Sequence, residues 1–523
     1  MSRRDLAIVI VVALGVNSVV ALLTTTPGDS VDAHYALAGG TLIASGEGFT
    51  APYFWNYVNP PTDLPAPSYR YWQPLSALLS AIGIVVLGDL LPPFGAAQAV
   101  YVLAGSLVPV LSALTAARLG EPRHGLIAGL LAAFSGIYAV YWSIAETFTP
   151  FALGAGLALL CTFVAREDGP SWIWLVAGLG AGIGHLARAD GLLLLGVVGL
   201  FALLPHREDP VRRRVLFGAL VTGGYLLVMG PWFARNIMVF GSWQAPGGLS
   251  TLWIAEYNQI FDFPAVITPS TLFEQGVGPP LLARVEALAR NVALFILGHN
   301  LVVLTPLTLA AWWKHRARFT PVLLYAVLLF TAMTAAFALQ GMRGGWLHSG
   351  AALVPFVMAG AALALDDLAR WLARQQRVRF NEALRFVQVA AVAFTALITT
   401  ATVAIFIVGP DDLTTIAWNN AHPHYDWAGE YITMGDAVVM VNNPPAFYNH
   451  TGLTAIPLVN GDETALLRAA DAYGADYVLL DENLPADLWP LYLDGPQSGR
   501  LTVLAEEAVS AQSIRLYRVL PQE

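Results

Sequence analysis

The sequence has few charged residues and almost no cysteine. Only 12% of its 523 residues are charged, whereas 56% are hydrophobic, and the mean hydropathy is +0.59. Soluble enzymes and disordered chains do not have this composition, so we expect a membrane protein. Cys161 is the single cysteine, which excludes an internal disulfide. A net charge of −9 provides no basic surface for nucleic acid, which we therefore exclude as a partner.

Sequence signals of several common sites are also missing. No internal repeat is visible, and the sequence contains no cluster of His and Cys at metal-ligand spacing. The C-terminal part has neither a Gly-rich phosphate loop nor a nucleophile elbow. Only Asp and Glu could then hold a hard cation such as Mg²⁺ or Mn²⁺, and the sequence leaves a requirement for one open.

Long apolar runs predict about eleven transmembrane helices, each near the length of roughly 20 residues that crosses a bilayer. One further run, 74–90, is shorter and opens with Pro74, so we expect it to lie on the outer side without crossing. The predicted crossings are 6–24, 95–117, 125–143, 149–165, 171–187, 190–204, 213–232, 290–312, 319–340, 346–365 and 386–408.

Basic residues predict the orientation of these helices. Arg3 and Arg4 precede the first helix, and short basic clusters recur between later runs, as is typical of cytoplasmic loops. An odd number of crossings then places the C-terminus outside. The first helix is longer than a signal-peptide core and lacks a clear cleavage site, so we expect it to remain as an anchor. The prediction is a multi-pass protein of the plasma (inner) membrane with a cytoplasmic N-terminus.

The composition changes after Val408. Short β-like runs at 437–443, 455–459, 476–482, 501–507 and 513–519, with an amphipathic helix at 462–475, predict a small extracytoplasmic α/β domain over 409–523. The predicted membrane domain is 1–408, including a long first outer loop at 25–73. We expect the stretch 366–385 to be an amphipathic helix on the cytoplasmic surface.

Several ionisable residues fall at the predicted outer face. Asp29 and Asp32 follow the first helix at the start of a loop that is too long for a simple connector. Arg188 lies between two short crossings, where a charge is a functional candidate, although an ion pair with Asp190 could equally close a helical hairpin. Arg235 could bind a ligand or extend to the interface from the end of its helix.

Five short motifs occur in an order that resembles the GT-C superfamily of membrane glycosyltransferases, with the protein O-mannosyltransferases and the lipid A aminoarabinose transferase as the nearest look-alikes. They are D-A-H-Y at 32–35 with G-E-G-F at 46–49, Q-P-L at 73–75, Glu146 in S-I-A-E-T, L-A-R-A-D-G at 186–191 and G-P-W-F-A-R-N at 230–236. The resemblance implies a GT-C-like fold. It also implies transfer of a sugar from a polyprenyl-phosphate donor to a lipid, glycan or protein acceptor outside the cytoplasm.

The resemblance also assigns roles to residues. Asp32 matches the catalytic carboxylate and is expected to act as general base in an inverting transfer, with Asp29 as its competitor. Glu146 is expected as a second catalytic carboxylate that ligates a metal with Asp32 or orients the acceptor, although it could also face water in a short loop. Ala33 departs from the family, which commonly has an acidic residue there. The expected phosphate-binding residues are Arg70, Arg188, Arg235, Arg343 and His348, because an anionic leaving group needs fixed positive charge. The expected acceptor-binding or sugar-binding residues are Asp29, His34, Tyr35, Tyr71 and Trp72, although aromatic residues in such a loop also form interfacial belts.

Two other functions remain open from the sequence. The chain could be a transporter or flippase of a lipid-linked intermediate, but transporters usually place charges near the bilayer midplane in paired repeats. It could also be a membrane anchor that presents its C-terminal domain, in which the turn 442–445 is expected to face the membrane site. One outer cavity lined by Asp32, Glu146 and the arginines would favour transfer, whereas scattered positions would favour an anchor.

Overall fold

A computed structural model describes residues 1–167, 169–205, 210–409, 418–509 and 512–522. Among these residues, seven helices are long and apolar enough to cross a membrane: Arg3–Leu23, Pro93–Leu119, Phe148–Arg166, Val211–Phe240, Arg316–Ala336, Ala338–Gln376 and Phe380–Val408. Shorter apolar helices are Leu75–Leu87, His124–Ala133, Ile173–Ala187 and Ala189–Leu203. The protein is therefore a helical membrane protein. The number of about eleven crossings and the outer position of the C-terminal domain stay predictions.

The membrane part contains the following α-helices, separated by short turns and by 3-10 or π-helical segments. They are α1 (Arg3–Leu23), α2 (Val31–Ala44), α3 (Leu75–Leu87), α4 (Pro93–Gly105), α5 (Leu107–Leu119), α6 (His124–Ala133), α7 (Ile137–Tyr141), α8 (Phe148–Arg166), α9 (Ile173–Ala187), α10 (Leu192–Leu203), α11 (Val211–Phe240), α12 (Gly278–Leu294), α13 (Thr305–Lys314), α14 (Arg316–Thr331), α15 (Ala338–Gln340), α16 (Trp346–Gly350), α17 (Val354–Gln376) and α18 (Phe380–Val403).

Two predicted crossings are wrong as continuous helices. Within 290–312, α12 ends at Leu294, and Leu301 and Val302 adopt left-handed backbone (φ 48° and 63°) before α13 begins. That conformation is incompatible with a continuing right-handed helix. Within 125–143, α6 ends at Ala133, and Gly136 (φ 63°) turns the chain before α7. The amide of Gly136 donates to Oγ1 of Thr399 at 2.9 Å, so a neighbouring helix satisfies the group that the break exposes.

The stretch 366–385 is not a separate surface helix. It comprises the end of α17, a turn at Arg377 (φ 55°) and the start of α18. Asp366 is buried and accepts from Arg123 Nη2 at 2.7 Å, which ties α17 to the turn before α6. The amphipathic pattern of 366–385 therefore belongs largely to the end of α17, which packs against other helices.

The first outer loop contains a helix that the sequence analysis did not predict. This helix, α2, begins after the N-cap Ser30, whose side chain accepts from the amide of Ala33 at 3.2 Å, and Asp32 lies in its first turn. A small antiparallel pair, β1 (Thr50–Ala51) and β2 (Ala66–Pro67), follows. The loop is thus an ordered layer between the membrane helices and the C-terminal domain.

The C-terminal domain is a small sheet with helices, as predicted. Its strands β3 (Val438–Val441), β4 (Thr454–Pro457), β5 (Tyr477–Leu480), β6 (Leu501–Val509) and β7 (Gln512–Val519) form a sheet in the order β4-β3-β5-β7-β6. Strands β3, β4 and β5 are parallel, whereas β7 is antiparallel to β5 and β6. Its helices are α19 (Pro423–Tyr431), α20 (Pro444–Thr451), α21 (Glu463–Tyr473) and α22 (Trp489–Asp494). Five predicted strands and the predicted helix at 462–475 are therefore confirmed, and the residues just after the predicted boundary, 410–417, lie outside the described residues.

Candidate active site

One cavity of about 580 Å³ lies between the first outer loop and the ends of several membrane helices. Trp232 and Phe233 of α11 and Ala332 and Met333 after α14 form part of its apolar wall. The cavity brings together many of the residues predicted from the sequence. Those that line it are Asp29, Asp32, Tyr71, Trp72, Glu146, Arg188, Arg343 and His348.

Asp32 projects from the first turn of α2 into this cavity. Its Oδ2 lies 3.8 Å from Nε2 of His348. Burial raises the pKa of Asp32, and the positive charge of Arg188 opposes that shift. A carboxylate with a raised pKa is a stronger base when it is ionised, which suits it to accept a proton from a bound hydroxyl group.

Glu146 occupies the turn just before α8, and its side chain is only 2% exposed. The hydroxyl of Ser30 donates a short hydrogen bond to Oε1, and Oε2 has no hydrogen-bond partner among the described residues. Burial and the nearby charge of Asp32 both raise the pKa of Glu146, while Ser30 and Arg188 lower it. A buried and a half-buried carboxylate so close together favour a state in which one of them keeps a proton or both face a cation.

His348 lies between the two carboxylates. Its ring stacks on Phe148 at a centroid distance of 4.1 Å, and Nδ1 is 3.1 Å from Oγ1 of Thr147. The same Nδ1 is 3.9 Å from Oε2 of Glu146. One ligand atom from each of Asp32, Glu146 and His348 lies within 4.8 Å of the other two. Because ligand atoms about 2.1 Å from a shared ion can be roughly 4 Å apart, these residues could hold a divalent cation after small adjustments.

Arg188 forms the ion pair with Asp190 that the sequence analysis considered, and it also lines the cavity. Its Nε donates to Oδ1 of Asp190 at 3.0 Å. Its Nη1 and Nη2 donate to hydroxyl groups of Thr147 and Ser349 at 3.3 and 3.2 Å. These three contacts hold the guanidinium in a fixed plane beside Asp32 and Glu146, so the positive charge is ordered before any ligand binds.

Arg343 lies where the helical path is broken between α15 and α16. Gly344 adopts φ 110°, and the guanidinium of Arg343 lies over the ring of Tyr257 at 4.4 Å. Tyr257 comes from the segment between α11 and α12 and also lines the cavity. Arg343 is therefore a second cation at the cavity wall.

Two of the predicted phosphate-binding arginines do not line the cavity. The Nη2 of Arg235 donates to the carbonyls of Phe49 and Ser68 at 3.3 and 2.9 Å. Arg70 donates from Nε to the carbonyl of Asn59 at 2.9 Å. Both guanidinium groups also lie over the ring of Phe240. These arginines stabilise the fold of the predicted first outer loop, because each donates to backbone carbonyl groups of that loop.

His34 and Tyr35 also lie outside the cavity. The Nε2 of His34 is 2.9 Å from the carbonyl of Gly28, and Asn449 Nδ2 donates to Nδ1 of His34 at 3.1 Å. The hydroxyl of Tyr35 accepts from the amide of Tyr69 at 3.0 Å. The side chains of His34 and Tyr35 therefore contact other parts of the protein and do not face the cavity. The turn 442–445 does not line the cavity either, and Asn443 instead caps α20.

The sequence analysis missed residues that support the predicted ones. Ser30, Thr147 and Tyr257 all line the cavity. The sequence did contain a signal for Ser30 as an N-cap. A serine two positions before an acidic residue is typical of the start of a helix. Thr147 ends the S-I-A-E-T motif but had no assigned role, and no local pattern indicated Tyr257, since their roles depend on His348 and Arg343 from distant helices.

One segment of the chain matches a known protein family. Residues 73–233 match the family model described as dolichyl-phosphate-mannose-protein mannosyltransferase. This segment contains Glu146, Arg188 and Asp190. No curated protein sequence matches the chain.

Solved membrane glycosyltransferase structures share the fold. The crystal structure of an Archaeoglobus fulgidus oligosaccharyltransferase with Zn and sulfate gives a TM-score of 0.56 at 15% identity, covering 90% of this chain and 68% of that chain. ArnT from Cupriavidus metallidurans in the apo state gives 0.53 at 16% identity, covering 98% and 97%. The oligosaccharyltransferase AglB of Archaeoglobus fulgidus, in complex with an inhibitory peptide and a dolichol-phosphate, gives 0.50 at 13% identity, covering 92% and 71%. The chain therefore shares the fold of these membrane glycosyltransferases, and its segment 73–233 is similar to the mannosyltransferase family.

Proposed function

We propose that this protein transfers a sugar from a polyprenyl-phosphate donor to an acceptor on the extracytoplasmic side of the membrane. The observation that carries the proposal is the grouping of Asp32, Glu146, Arg188 and His348 in one cavity at the ends of membrane helices. A lipid-linked donor reaches such a site from the bilayer, and a polar acceptor reaches it from water. The dolichol-phosphate in the AglB complex supports a carrier of this chemical class.

In this proposal Asp32 acts as the general base. It accepts the proton of an acceptor hydroxyl while that oxygen forms a bond to C1 of the sugar. The bond from C1 to the phosphate oxygen breaks on the opposite side, so the configuration at C1 inverts. The sugar is a hexose or a pentose, and the acceptor is a lipid, a glycan or a protein. Asp29 is at the rim of the same cavity and remains the alternative base.

Arg188 and Arg343 bind the phosphate in this proposal. The leaving group gains negative charge as the C1–O bond breaks, and ordered cations lower the energy of that state. Arg188 is held by three hydrogen bonds, so it does not have to reorganise during the reaction. The predicted phosphate-binding role of Arg70 and Arg235 is not retained, because neither lines the cavity.

Asp32, Glu146 and His348 would hold a Mg²⁺ or Mn²⁺ ion. Such an ion would supply charge neutralisation for a phosphate at this site. Within the described part of the chain, Oε2 of Glu146 accepts no hydrogen bond, which supports this part of the proposal because a buried carboxylate oxygen without a hydrogen bond is costly. Manganese binding can be measured by electron paramagnetic resonance without any substrate. His348→Gln should weaken it by about 10-fold or more, as loss of one ligand does, and equal affinity in the variant would contradict the assignment.

The collection of these charges in one outer cavity favours transfer over the alternatives. A simple anchor would not need both carboxylates, Arg188 and His348 at one place. A transporter or flippase would be expected to have polar residues along a path through the bilayer. We therefore do not favour these functions.

The decisive experiment measures sugar transfer in proteoliposomes with a panel of polyprenyl-phosphate sugars. Asp32→Asn keeps the shape of the side chain and removes the base, so we expect kcat to fall by about 100-fold or more while donor binding is retained. The matched control is Asp63→Asn, an exposed carboxylate of the same outer loop, which should transfer like the wild type.

Each other outcome has a distinct meaning. Full transfer by Asp32→Asn would move the base to Asp29 or Glu146. Lack of transfer by the wild type with every donor would contradict the proposed function and support a transporter or an anchor.

A further inference from the structure

The turn that leads from α1 into α2 is bonded to the C-terminal domain. We use the name outer strap for residues 419–422, which precede α19. Asn419 Oδ1 accepts from the amide and the hydroxyl of Thr25 at 2.6 and 3.1 Å. Asn419 Nδ2 donates to the carbonyl of Leu23, the last residue of α1, at 2.8 Å. The side chain of Asn419 thus forms hydrogen bonds with both the carbonyl of Leu23 at the end of α1 and the amide of Thr25.

The rest of the outer strap continues along the same turn. Thr26 Oγ1 donates to the carbonyl of Asn420 at 3.1 Å, and Asn420 Nδ2 donates to Oδ1 of Asp29 at 2.9 Å. The Nε2 of His422 lies 2.8 Å from the carbonyl of Gly28. Successive polar groups of the turn therefore form hydrogen bonds with the outer strap. The bonded residues are about 390 positions apart in the chain.

This turn determines where the carboxylates lie. Asp29 lines the cavity, and the next residue, Ser30, caps α2 and donates to Glu146. Asp32 follows within the first turn of the same helix. A shift of the turn would move Asp32 relative to Glu146, which lies in the separate turn before α8. A displacement of about 1 Å at a reacting group can cost roughly 100-fold in rate.

We infer that the C-terminal domain positions the catalytic aspartate through the outer strap, with Asn419 and Asn420 as positioning residues. The inference rests on the proposed function, because it concerns the reaction at Asp32. It gives the C-terminal domain a role in the chemical step. That role differs from acceptor recognition, because the outer strap bonds the turn in front of Asp32.

The test uses the full-length protein and variants at Asn419. This residue has a left-handed backbone (φ 71°), so Asn419→Gly removes the side chain without introducing strain. Asn419→Asp keeps an acceptor for the amide of Thr25. The matched control is Asn460→Ala, which removes a 2.6 Å hydrogen bond from the C-terminal domain to Asp262, outside the cavity.

Two readouts separate positioning from a general structural role. Hydrogen–deuterium exchange of peptides that cover residues 24–34 reports the contact itself and requires no substrate. For Asn419→Gly we expect faster exchange there and a kcat lowered by about 10-fold or more, with the KM for the donor within about twofold. Asn419→Asp should recover part of kcat, and Asn460→Ala should match the wild type in both measurements.

Three results would overturn the inference. Unchanged exchange in Asn419→Gly would show that the outer strap does not hold the turn. Faster exchange with wild-type kcat would show that the contact does not position Asp32, and a rise in KM alone would indicate a binding role. If the wild type transfers from no donor, the proposed function fails; faster exchange would then establish the contact, and the positioning role would be rejected.

Discussion

Ser30 connects the two carboxylates of the candidate site. Its hydroxyl donates to Oε1 of Glu146, 116 positions away in the chain, and accepts from the amide of Ala33. Because the second bond caps α2, the residue that anchors Glu146 also fixes the start of the helix that carries Asp32. The relative position of the two carboxylates therefore depends on one hydroxyl group.

Ser30→Ala should reduce turnover more than it reduces stability. Loss of the hydroxyl leaves both carboxylate oxygens of Glu146 without a hydrogen bond and removes a helix cap that contributes about 1 kcal/mol. We expect kcat to fall by about 10-fold, because a small displacement of a reacting group lowers the rate strongly. Ser30→Thr retains a hydroxyl and should recover activity. Ser45→Ala at the other end of α2 is the control, and wild-type kcat in Ser30→Ala would contradict the prediction.

Arg235 and Arg188 should behave differently when they are replaced. Arg235→Ala removes the side-chain donor to the carbonyl of Ser68 and one of two donors to the carbonyl of Phe49, which keeps the amide of Ser68. The midpoint of thermal unfolding should therefore fall as roughly 1–3 kcal/mol of stability is lost, while the KM for the donor stays unchanged. Arg188→Lys keeps the charge but cannot reproduce the planar contacts, so donor affinity or kcat should fall by about 10-fold with little loss of stability. The reverse pattern would return Arg235 to the phosphate site.

The C-terminal domain should lose stability between acidic and neutral pH because of Asp481. Burial raises the pKa of this carboxyl to about 6. Since the folded pKa lies above the unfolded value of about 3.9, the stabilisation is present below pH 4 and is lost as the pH rises through 6, at a cost on the order of 3 kcal/mol.

Asp481→Asn tests this prediction by removing the ionisation. Its unfolding midpoint should exceed that of the wild type at pH 7 and approach it at pH 4, where the wild-type carboxyl is protonated. Asp487→Asn, at an exposed carboxylate of the same domain, should show no such convergence. A constant difference between Asp481→Asn and the wild type across this pH range would be inconsistent with titration of Asp481.

The predicted orientation can be tested because Cys161 is the single cysteine. In a Cys161→Ala background, Gln497→Cys and Gln376→Cys place one thiol at an exposed position of the C-terminal domain and one at the end of α17. A membrane-impermeant maleimide should label position 497 in intact cells and position 376 only after the membrane is opened. Labelling in the opposite order would invert the topology and move the cavity to the cytoplasmic side.

Local sequence patterns determined much of the architecture. The apolar runs predicted the long helices, and the alternating runs after Val408 predicted the five strands of the C-terminal sheet. These predictions succeed because the pattern of apolar residues along a short segment reflects the geometry of one helix or one strand. The motifs that resemble the GT-C superfamily also identified Asp32, Glu146 and Arg188, which line the cavity.

Tertiary structure decided the features that depend on distant partners. The sequence did not distinguish Arg188, which lines the cavity, from Arg235, which bonds to the first outer loop, because both arginines follow predicted crossings. It did not indicate that Gly136 would interrupt a predicted crossing and bond to Thr399. The contact of Asn419 with Thr25 spans 394 positions, and no spacing rule connects such residues. Side-chain direction and long-range hydrogen bonds are set by how the helices pack, so only the folded chain determines which polar groups share one site.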